Sequence, residues 1–569
     1  MVIQVLKEDV ISQIAAGEVV ARPASVVKEL VENALDAGAT QVSVEVGGGG
    51  VSLLRVTDNG SGIPSAEVAL AFTRHATSKI ASLDDLPVVR SLGFRGEALP
   101  SIAAVARVEM LACAAGEEAG TSLAFEDGNV VSRGRQARSI GTTVTVRELF
   151  GKVPARRKFL KTPATENGHI ANVVSQYALA FPEVRFSLSV DGRSVLLTSG
   201  KGELIESIIE VYGLEVAQGM LPLGAREREW IAGGIPLEIS GFVSAPTLHR
   251  SGRGYLSFFI NRRWVNNRVL TYAVEEAYHG LLMTGRHPLA VLNIQLTPSE
   301  VDVNVHPAKS EVKFRDERIV FSAVQRSVRQ AFVAQMPVLQ IEEVAAAFTP
   351  VKAGMAELWT QRDWRATTPE IIKAAPETVA SLPVLRVLGQ AMNRYLVAEG
   401  PDGLYLIDQH AAHERIRYER IKQQHAQRKV ELQGLLEPVT MEVAPRQVET
   451  MKLYYRDLAE FGFQIEPFGE RAYLVRAVPA LLQDGDWLGM LRELLDSLGE
   501  DSGGRWEEKT AVSLACHGAV RAGQALSDNE MRALVRDLEQ VPNPRTCPHG
   551  RPTVIHLTSA RLEREFGRA

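Results

Sequence analysis

The sequence predicts an α+β protein built from several domains. Three observations carry that prediction. The chain has 569 residues, too many for one hydrophobic core. Its composition, 45% hydrophobic and 23% charged, is that of an ordinary folded chain. Helical patterns alternate with short β runs until periodicity is lost over residues 336–382.

The elements justify themselves in order. From Val2 to about Leu149, helical stretches alternate with "QVSVEV" and "GTTVTV", an α+β layer interrupted by glycine-rich loops. From about Gly219 to Gln335 the chain turns strand-like ("GYLSFFINRRWV", "HPLAVLNIQL") before the helical pattern "ERIVFSAVQRSVRQAFVAQM". These read as two domains, 1–215 and 216–335. Residues 336–382 gather Pro, Ala, Thr and charge, the composition of a flexible linker. A third folded region, 383–569, carries its own small α/β pattern at about 444–508. That pattern is expected to be an inserted subdomain, so the halves flanking it must pack together. No internal repeat is visible.

Several function classes are excluded at this level. No run of about 18 apolar residues exists to span a membrane, and the N-terminus lacks a basic lead-in to an apolar core, so a cytoplasmic protein with no membrane partner is expected. Cys113, Cys516 and Cys547 are too few for a disulfide framework. A net charge of -5 argues against a globally basic nucleic-acid binder and leaves local patches open.

"VVKELVENALDAGA" sets Glu29 and Asn33 four residues apart in a helix whose buried side is Val26, Val27, Leu30 and Val31. That spacing aligns both polar side chains on one face. A carboxylate there can deprotonate a water, and an amide oxygen is a hard ligand suited to Mg²⁺. Taken alone, the pair also fits a solvated helix face. Downstream, "LLRVTDNGSGI" runs a strand into Asp58, Gly60 and Gly62, "HATSKI" offers Thr77 and Lys79, and "SLGFRGEAL" sets Gly93 and Gly96 before a helical run. Glycine loops let backbone approach a ligand closely, and N–H groups opening a helix cradle anions.

In that order, "ELVEN", "DNGSGI", "GFRGEAL" and "GTTVTV" resemble the motif set of the GHKL ATPases, whose fold is the Bergerat α/β sandwich. The flanks "IAAGEVVARPASVVKELVENALDAGA", "TRHATSKI" and "SLGFRGEALPSI" are specifically similar to the MutL family of bacterial mismatch repair. The resemblance implies ATP and Mg²⁺ as ligands. Glu29 would activate the attacking water, Asn33 would hold Mg²⁺, and Asp58 would accept from the adenine amino group. Gly60, Gly62 and Thr77 would surround the nucleotide, Thr143 would sit near the base, and Lys79 with Gly93, Phe94, Arg95 and Gly96 would form a lid over the phosphates. Residues 216–335 would be a transducer domain whose Lys309, in "VDVNVHPAKSEVKF", reaches the terminal phosphate, making the nucleotide a conformational switch.

Two segments are basic without acidic interruption. "GKVPARRKFLK" holds Arg156 and Arg157, and "LHRSGRGYLSFFINRRWVNNR" holds Arg262, Arg263 and Arg268. Neutralising phosphates would suit a protein that engages any double-stranded DNA. A charge run is ordinarily a solvated face. The family binds DNA in this region, and Arg268 lies where it places a DNA contact.

"LYLIDQHAAHERIRYE" loads a strand-to-helix junction with potential metal ligands. His410 and Glu414, at i and i+4, can aim at one ion. Asp408 either caps the helix or ligates, and capping is the commoner role. Glu419 lies about 180° around the helix from His410 and is not expected to share its metal. "SLACHGAVRAG" supplies Cys516, and "RTCPHGRPT" supplies Cys547 and His549. Together with "QAMNRYLV" these motifs resemble the endonuclease-bearing form of MutL, although His517 stands where Lys or Arg is more usual. The resemblance implies metal-dependent nicking by a C-terminal α/β dimerisation and endonuclease domain in a homodimer. Asp408, His410 and Glu414 would serve catalysis with Cys516, Cys547 and His549 beside them, using Mn²⁺ and/or Zn²⁺. "QGLLEP" presents Gln433, Leu436 and Pro438 in the pattern of peptides that insert into the sliding clamp, the DNA polymerase III beta subunit. MutS would be the upstream mismatch sensor. The function so implied is an ATP-dependent switch coupling mismatch recognition to DNA nicking. The alternative is a nuclease-free matchmaker ATPase of mismatch repair, and a third reading is another GHKL machine, which would not need the C-terminal ligand set.

Overall fold

A proline at the first turn and apolar residues on one face start helix α1 (Pro23–Asp36), which buries Val26, Val27, Leu30, Val31 and Ala34. The structure is a computed structural model describing residues 20–79, 91–93, 96–126, 128–223, 229–230, 236–282, 285–302, 312–335, 382–482, 486–500, 506–517 and 525–566. Phe94, Arg95 and Lys309 lie outside the described residues, as does the expected linker except Leu382.

The chain divides into two units. One comprises Met1–Gln335 with Ile421–Gly518, the other Met336–Arg420 with Ala519–Ala569. The first unit opens on an eight-stranded sheet formed by β1 (Gln41–Gly47), β2 (Leu53–Asp58), β3 (Arg107–Cys113), β4 (Gly120–Glu126), β5 (Asn129–Gln136), β6 (Gly141–Arg147), β7 (Arg185–Val190) and β8 (Arg193–Leu197). Its order is β5-β4-β3-β6-β2-β1-β7-β8. Every pairing is antiparallel except β1 with β7. Val42, Val44 and Val46 of β1 alternate with less buried neighbours, so one face of the sheet turns inward. Against it lie α1 and helix α2 (Pro163–Ala180), which pack on each other. This is the two-layer α/β arrangement that the GHKL motifs predict.

The next sheet orders β9 (Met220–Pro222), β10 (Glu229–Trp230), β11 (Pro236–Ser244), β12 (Leu256–Ile260), β13 (Arg263–Val265) and β14 (Ala290–Leu296) as β10-β11-β14-β12-β13, with β9 on β11. Helices α3 (Arg268–Ala277) and α4 (Glu317–Gln335) pack on each other and share one core with Val243, Phe258, Leu292 and Ile294 of the sheet.

Beyond residue 382 the chain lays down β15 (Arg386–Ala391), β16 (Tyr395–Gly400), β17 (Gly403–Asp408), helix α5 (Gln409–Ala426), β18 (Leu432–Glu442), β19 (Gln464–Pro467), β20 (Ala472–Pro479), helices α6 (Trp487–Glu500), α7 (Trp506–His517) and α8 (Asp528–Gln540), and β21 (Val554–Thr558). The sheet β15-β16-β17-β21 belongs to the second unit, over a core of Leu396, Tyr405, Ile407, Ile416, Met531 and Val535. The pairing of β17 with β21 joins the two ends of the C-terminal region around an insertion. The inserted sheet, β18-β20-β19, starts at Leu432, before the expected boundary of about 444. Its first strand is largely exposed and carries no buried alternation to mark it in the sequence.

Candidate functional site

In the first unit, a cavity of about 840 Å³ opens beside α1. Glu29, Asn33, Asp58, Gly62, Thr77, Lys79, Gly93 and Gly96 all line it, as does Asp36. Glu29 and Asn33 reach it from one helical face, one turn apart. Asp58 ends β2, and its Oδ1 accepts from the Gly60 amide at 2.9 Å and the Thr142 amide at 3.2 Å. Burial raises its pKa, while those two amides and Arg138 oppose the rise. Gly62 and Gly96 both have left-handed backbone, with φ of 71° and 62°. A Cβ at Gly62 would strike the Cys113 carbonyl, and one at Gly96 the Ala76 carbonyl, so glycine is required at both.

Lys79 is held where its charge matters. Its Nζ donates to Asn33 Oδ1 at 2.9 Å and to Asp36 Oδ2 at 2.5 Å. Asp36 also accepts from the backbone amides of Leu92, at 2.7 Å, and Gly93, at 3.0 Å. The amide oxygen expected to hold Mg²⁺ therefore already carries a cationic partner, and the donor set suits a hard cation.

Two expectations for this region need correction. Thr143 does not line the cavity; Thr142 and Val144 do. Strand alternation turns Thr143 to the other face, where its hydroxyl meets Thr57 at 3.1 Å and Arg138. Arg263 is not on a surface that DNA could reach. It is 6% exposed and donates to the Ser91 carbonyl at 3.0 Å, because β13 points it inward. Of the other basic candidates, Arg156 is half-buried and donates to the Val20 carbonyl at 3.0 Å, whereas Arg157 and Arg268 are exposed. Arg262 is exposed and paired with Glu183.

Sequence reasoning missed Asp36, Arg138 and the pair of Glu32 and Tyr177. Arg138 also donates to the carbonyls of Asp58, at 3.0 Å, and Gly141, at 3.2 Å, stapling the loop under the cavity. The Tyr177 hydroxyl, on α2, donates to Glu32 Oε1 at 2.5 Å between buried side chains. Asp36 alone left a signal, the i to i+3 spacing from Asn33.

In the second unit, ligand atoms of Glu414, Cys547 and His549 all lie within 4.8 Å of one another. Glu414 stands on α5, where its two oxygens lie 3.2 Å from His410 Nε2 and 3.5 Å from His549 Nδ1. Burial alone would raise the Glu414 carboxyl, but hydrogen bonds from His410 and His549 outweigh it and hold the group well below the usual carboxylate range. Cys547 and His549 sit in one turn, closed by the Cys547 amide on the Arg551 carbonyl at 2.8 Å and by Gly550 with φ of 80°. Arg415 ties that turn to α5 by donating to the Thr546 carbonyl at 2.5 Å. A thiol, an imidazole and a carboxylate form a donor set that fits Zn²⁺.

Of the other expected ligands, neither Asp408 nor Cys516 is in that group of ligand atoms. Asp408 Oδ1 accepts from the Ala411 amide at 2.9 Å, so it caps α5. Glu419, not expected among the ligands, pairs with Arg415 at 2.8 Å. Cys516 lies on α7, in the first unit. Leu436 is fully exposed, and a register shift between Gly434 and Val439 lifts "LLEP" off the ladder, leaving Gln433 and Pro438 exposed as well.

Three family models match the chain. Residues 18–96 match "Histidine kinase-, DNA gyrase B-, and HSP90-like ATPase", 208–333 match "DNA mismatch repair protein, C-terminal domain", and 388–526 match "MutL C terminal dimerisation domain". The chain is 43% identical to the DNA mismatch repair protein MutL of Desulforudis audaxviator over 574 residues, covering 100% of this chain and 99% of that one. To the MutL of Methanothrix thermoacetophila it is 40% identical over 575 residues, with the same shares covered. Among solved structures, the Aquifex aeolicus MutL ATPase domain complexed with ADP matches at 32% identity and a TM-score of 0.37, covering 49% of this chain and 94% of that one.

Proposed function

The chain belongs to the MutL family of DNA mismatch-repair proteins, and from that premise we propose that it is an ATP-dependent switch coupling mismatch recognition to metal-dependent nicking of the strand to be repaired. The observation that carries the nuclease half is the convergence of Glu414, Cys547 and His549, from two distant stretches of sequence, on one cluster of ligand atoms. With His410 beside Glu414, these residues would hold Zn²⁺ or Mn²⁺. Such an ion would polarise the scissile phosphate and lower the pKa of a bound water. The protein's own part is to fix the donors: Arg415 holds the Cys547 turn on α5, and Asp408 caps the helix that presents His410 and Glu414.

In the ATP site, Glu29 would orient and deprotonate the attacking water, and Asn33 would hold Mg²⁺ once Lys79 moves to the phosphates. Asp58, fixed by two backbone amides, would accept from the adenine amino group. Lys309 would report the nucleotide to the transducer domain. Double-stranded DNA would meet Arg157 and Arg268 on the exposed basic surface. MutS and the sliding clamp would be protein partners, the clamp taking Gln433, Leu436 and Pro438, and the dimerisation domain would make the protein a homodimer.

Supercoiled plasmid with Mn²⁺ tests the reading. Wild type should nick it, Cys547→Ser should lose bound zinc, and Glu414→Gln should lose nicking. Absence of nicking by wild type would leave the matchmaker reading standing. Glu29→Ala should lower ATP turnover by about 100-fold or more, the scale of a lost general base.

A further inference from the structure

Gly168 lies inside α2, where glycine weakens a helix relative to alanine. A Cβ built there would meet one neighbour, the backbone oxygen of Arg446, at 3.2 Å. Gly254, before β12, faces the same residue: a Cβ there would lie 3.4 Å and 3.7 Å from the two terminal nitrogens of Arg446. Two glycines from separate N-terminal domains thus make room for one arginine of the inserted subdomain.

That arginine is thoroughly engaged. Its guanidinium stacks over the Tyr255 ring, 4.1 Å from the centroid, donates to the Gly254 carbonyl at 2.9 Å, and is gripped by Asp496 through two nitrogens at 3.2 Å each. A second contact flanks it. Glu493, on α6, accepts from both the Arg286 guanidinium, at 2.7 and 2.9 Å, and the Ser251 backbone amide, at 3.1 Å, while His517 lies 3.1 Å away. Arg492 pairs with Glu215 at 2.6 Å, and Arg471 donates to the Glu210 carbonyl at 2.8 Å. Arg492 and Glu493 are 6% and 8% exposed. Exposed ion pairs hold little, and the Glu215 side chain is 57% exposed, but the pair of Arg286 with Glu493 is largely buried, so Glu493 loses heavily if its partner leaves.

We propose that the face formed by Gly168, Tyr255 and Arg286 is a docking surface for the inserted subdomain of the same chain, and that docking regulates the ATP site through α2. The route is short. The turn Pro445–Gln447 and the helix Val448–Tyr454 pack on α2, and α2 packs on α1, the helix of Glu29 and Asn33. Between those two helices the buried Tyr177 to Glu32 hydrogen bond is the polar link, one turn from Glu29. Docking braces α2, and α2 braces the catalytic face. The docking half stands on contacts alone; the regulatory half rests on the ATPase reading above.

The test uses the full chain with two variants. Gly168→Leu blocks the approach of Arg446 while favouring the helix, and Arg446→Gln removes the charge without touching α2. Hydrogen exchange at the Ser251 amide reads docking, and steady-state ATP hydrolysis reads the active site. Both variants should exchange Ser251 at least tenfold faster and lower kcat at least threefold, with KM within twofold of wild type. Tyr177→Phe should lower kcat similarly while leaving Ser251 protected. Unchanged exchange in both variants overturns docking. Faster exchange with unchanged turnover overturns the regulatory link, and a wild type without ATP hydrolysis fails the ATPase reading while the exchange result still decides docking.

Discussion

Asp36 sits three residues beyond Asn33, and its carboxylate accepts from Leu92, Gly93 and Lys79 at 2.7, 3.0 and 2.5 Å. It therefore fixes the base of the expected lid and the cation beside Asn33 together. A hydrogen bond to a charged group contributes about 1.5–3 kcal/mol, and about 1.4 kcal/mol is tenfold in binding. Asp36→Asn keeps the shape, removes the charge and leaves one acceptor oxygen, so KM for ATP should rise about tenfold, as steady-state kinetics would measure. An unchanged KM would mean that the lid base is held by other groups. Asp408 poses a different residue-scale question, because its Oδ1 accepts from the Ala411 amide as a helix cap. Asp408→Ser retains a capping oxygen while Asp408→Ala loses it, at about 1 kcal/mol. If capping is its whole role, only the alanine variant should lower the melting temperature and both should keep wild-type nicking. Loss of nicking in the serine variant would return Asp408 to the catalytic set.

At the scale of elements, what the sequence made legible was periodic and what it hid was not. The i to i+4 spacing of α1 and α5 placed Glu29 with Asn33 and His410 with Glu414 on shared faces. Period two, applied strictly to "GTTVTV", would have turned Thr142 rather than Thr143 toward the cavity. Arg263 misled because a basic run says nothing of which residues a strand turns inward. The start of the inserted sheet was hidden because β18 is solvent-facing along most of its length. That exposure makes a prediction. Leu436→Ala removes a side chain with no packing to lose, so stability should move by no more than about 0.5 kcal/mol in denaturant titration. Binding to a sliding clamp should fall in a pull-down with the same variant. A large stability loss would mean that the segment is packed rather than presented.

For the whole molecule, the three family models fall in order on stretches that carry local motifs in the sequence. The docking of the insertion on α2 was not readable, since Gly168, Arg446 and Glu493 belong to no motif and meet only across hundreds of positions. Its electrostatics nevertheless fix a pH dependence. Burial would raise the Glu493 carboxyl, but the hydrogen bond from His517, the charge of Arg286 and the Ser251 contact outweigh it and hold the pKa at about 2, against an ordinary value of 4.5. His249, itself pushed down by burial, and the buried Arg250 complete the charged surroundings. A depressed carboxylate stabilises the docked arrangement fully above its ordinary pKa, and that contribution is lost as pH falls through the folded value. The shift corresponds to about 3 kcal/mol, present above pH 4.5 and fading toward pH 2. Protection of the Ser251 amide, corrected for intrinsic exchange, should accordingly exceed that of Glu493→Gln at pH 7 and converge on it as the solution is acidified across that window. A difference that stays constant with pH would mean that the carboxylate does not hold the insertion in place.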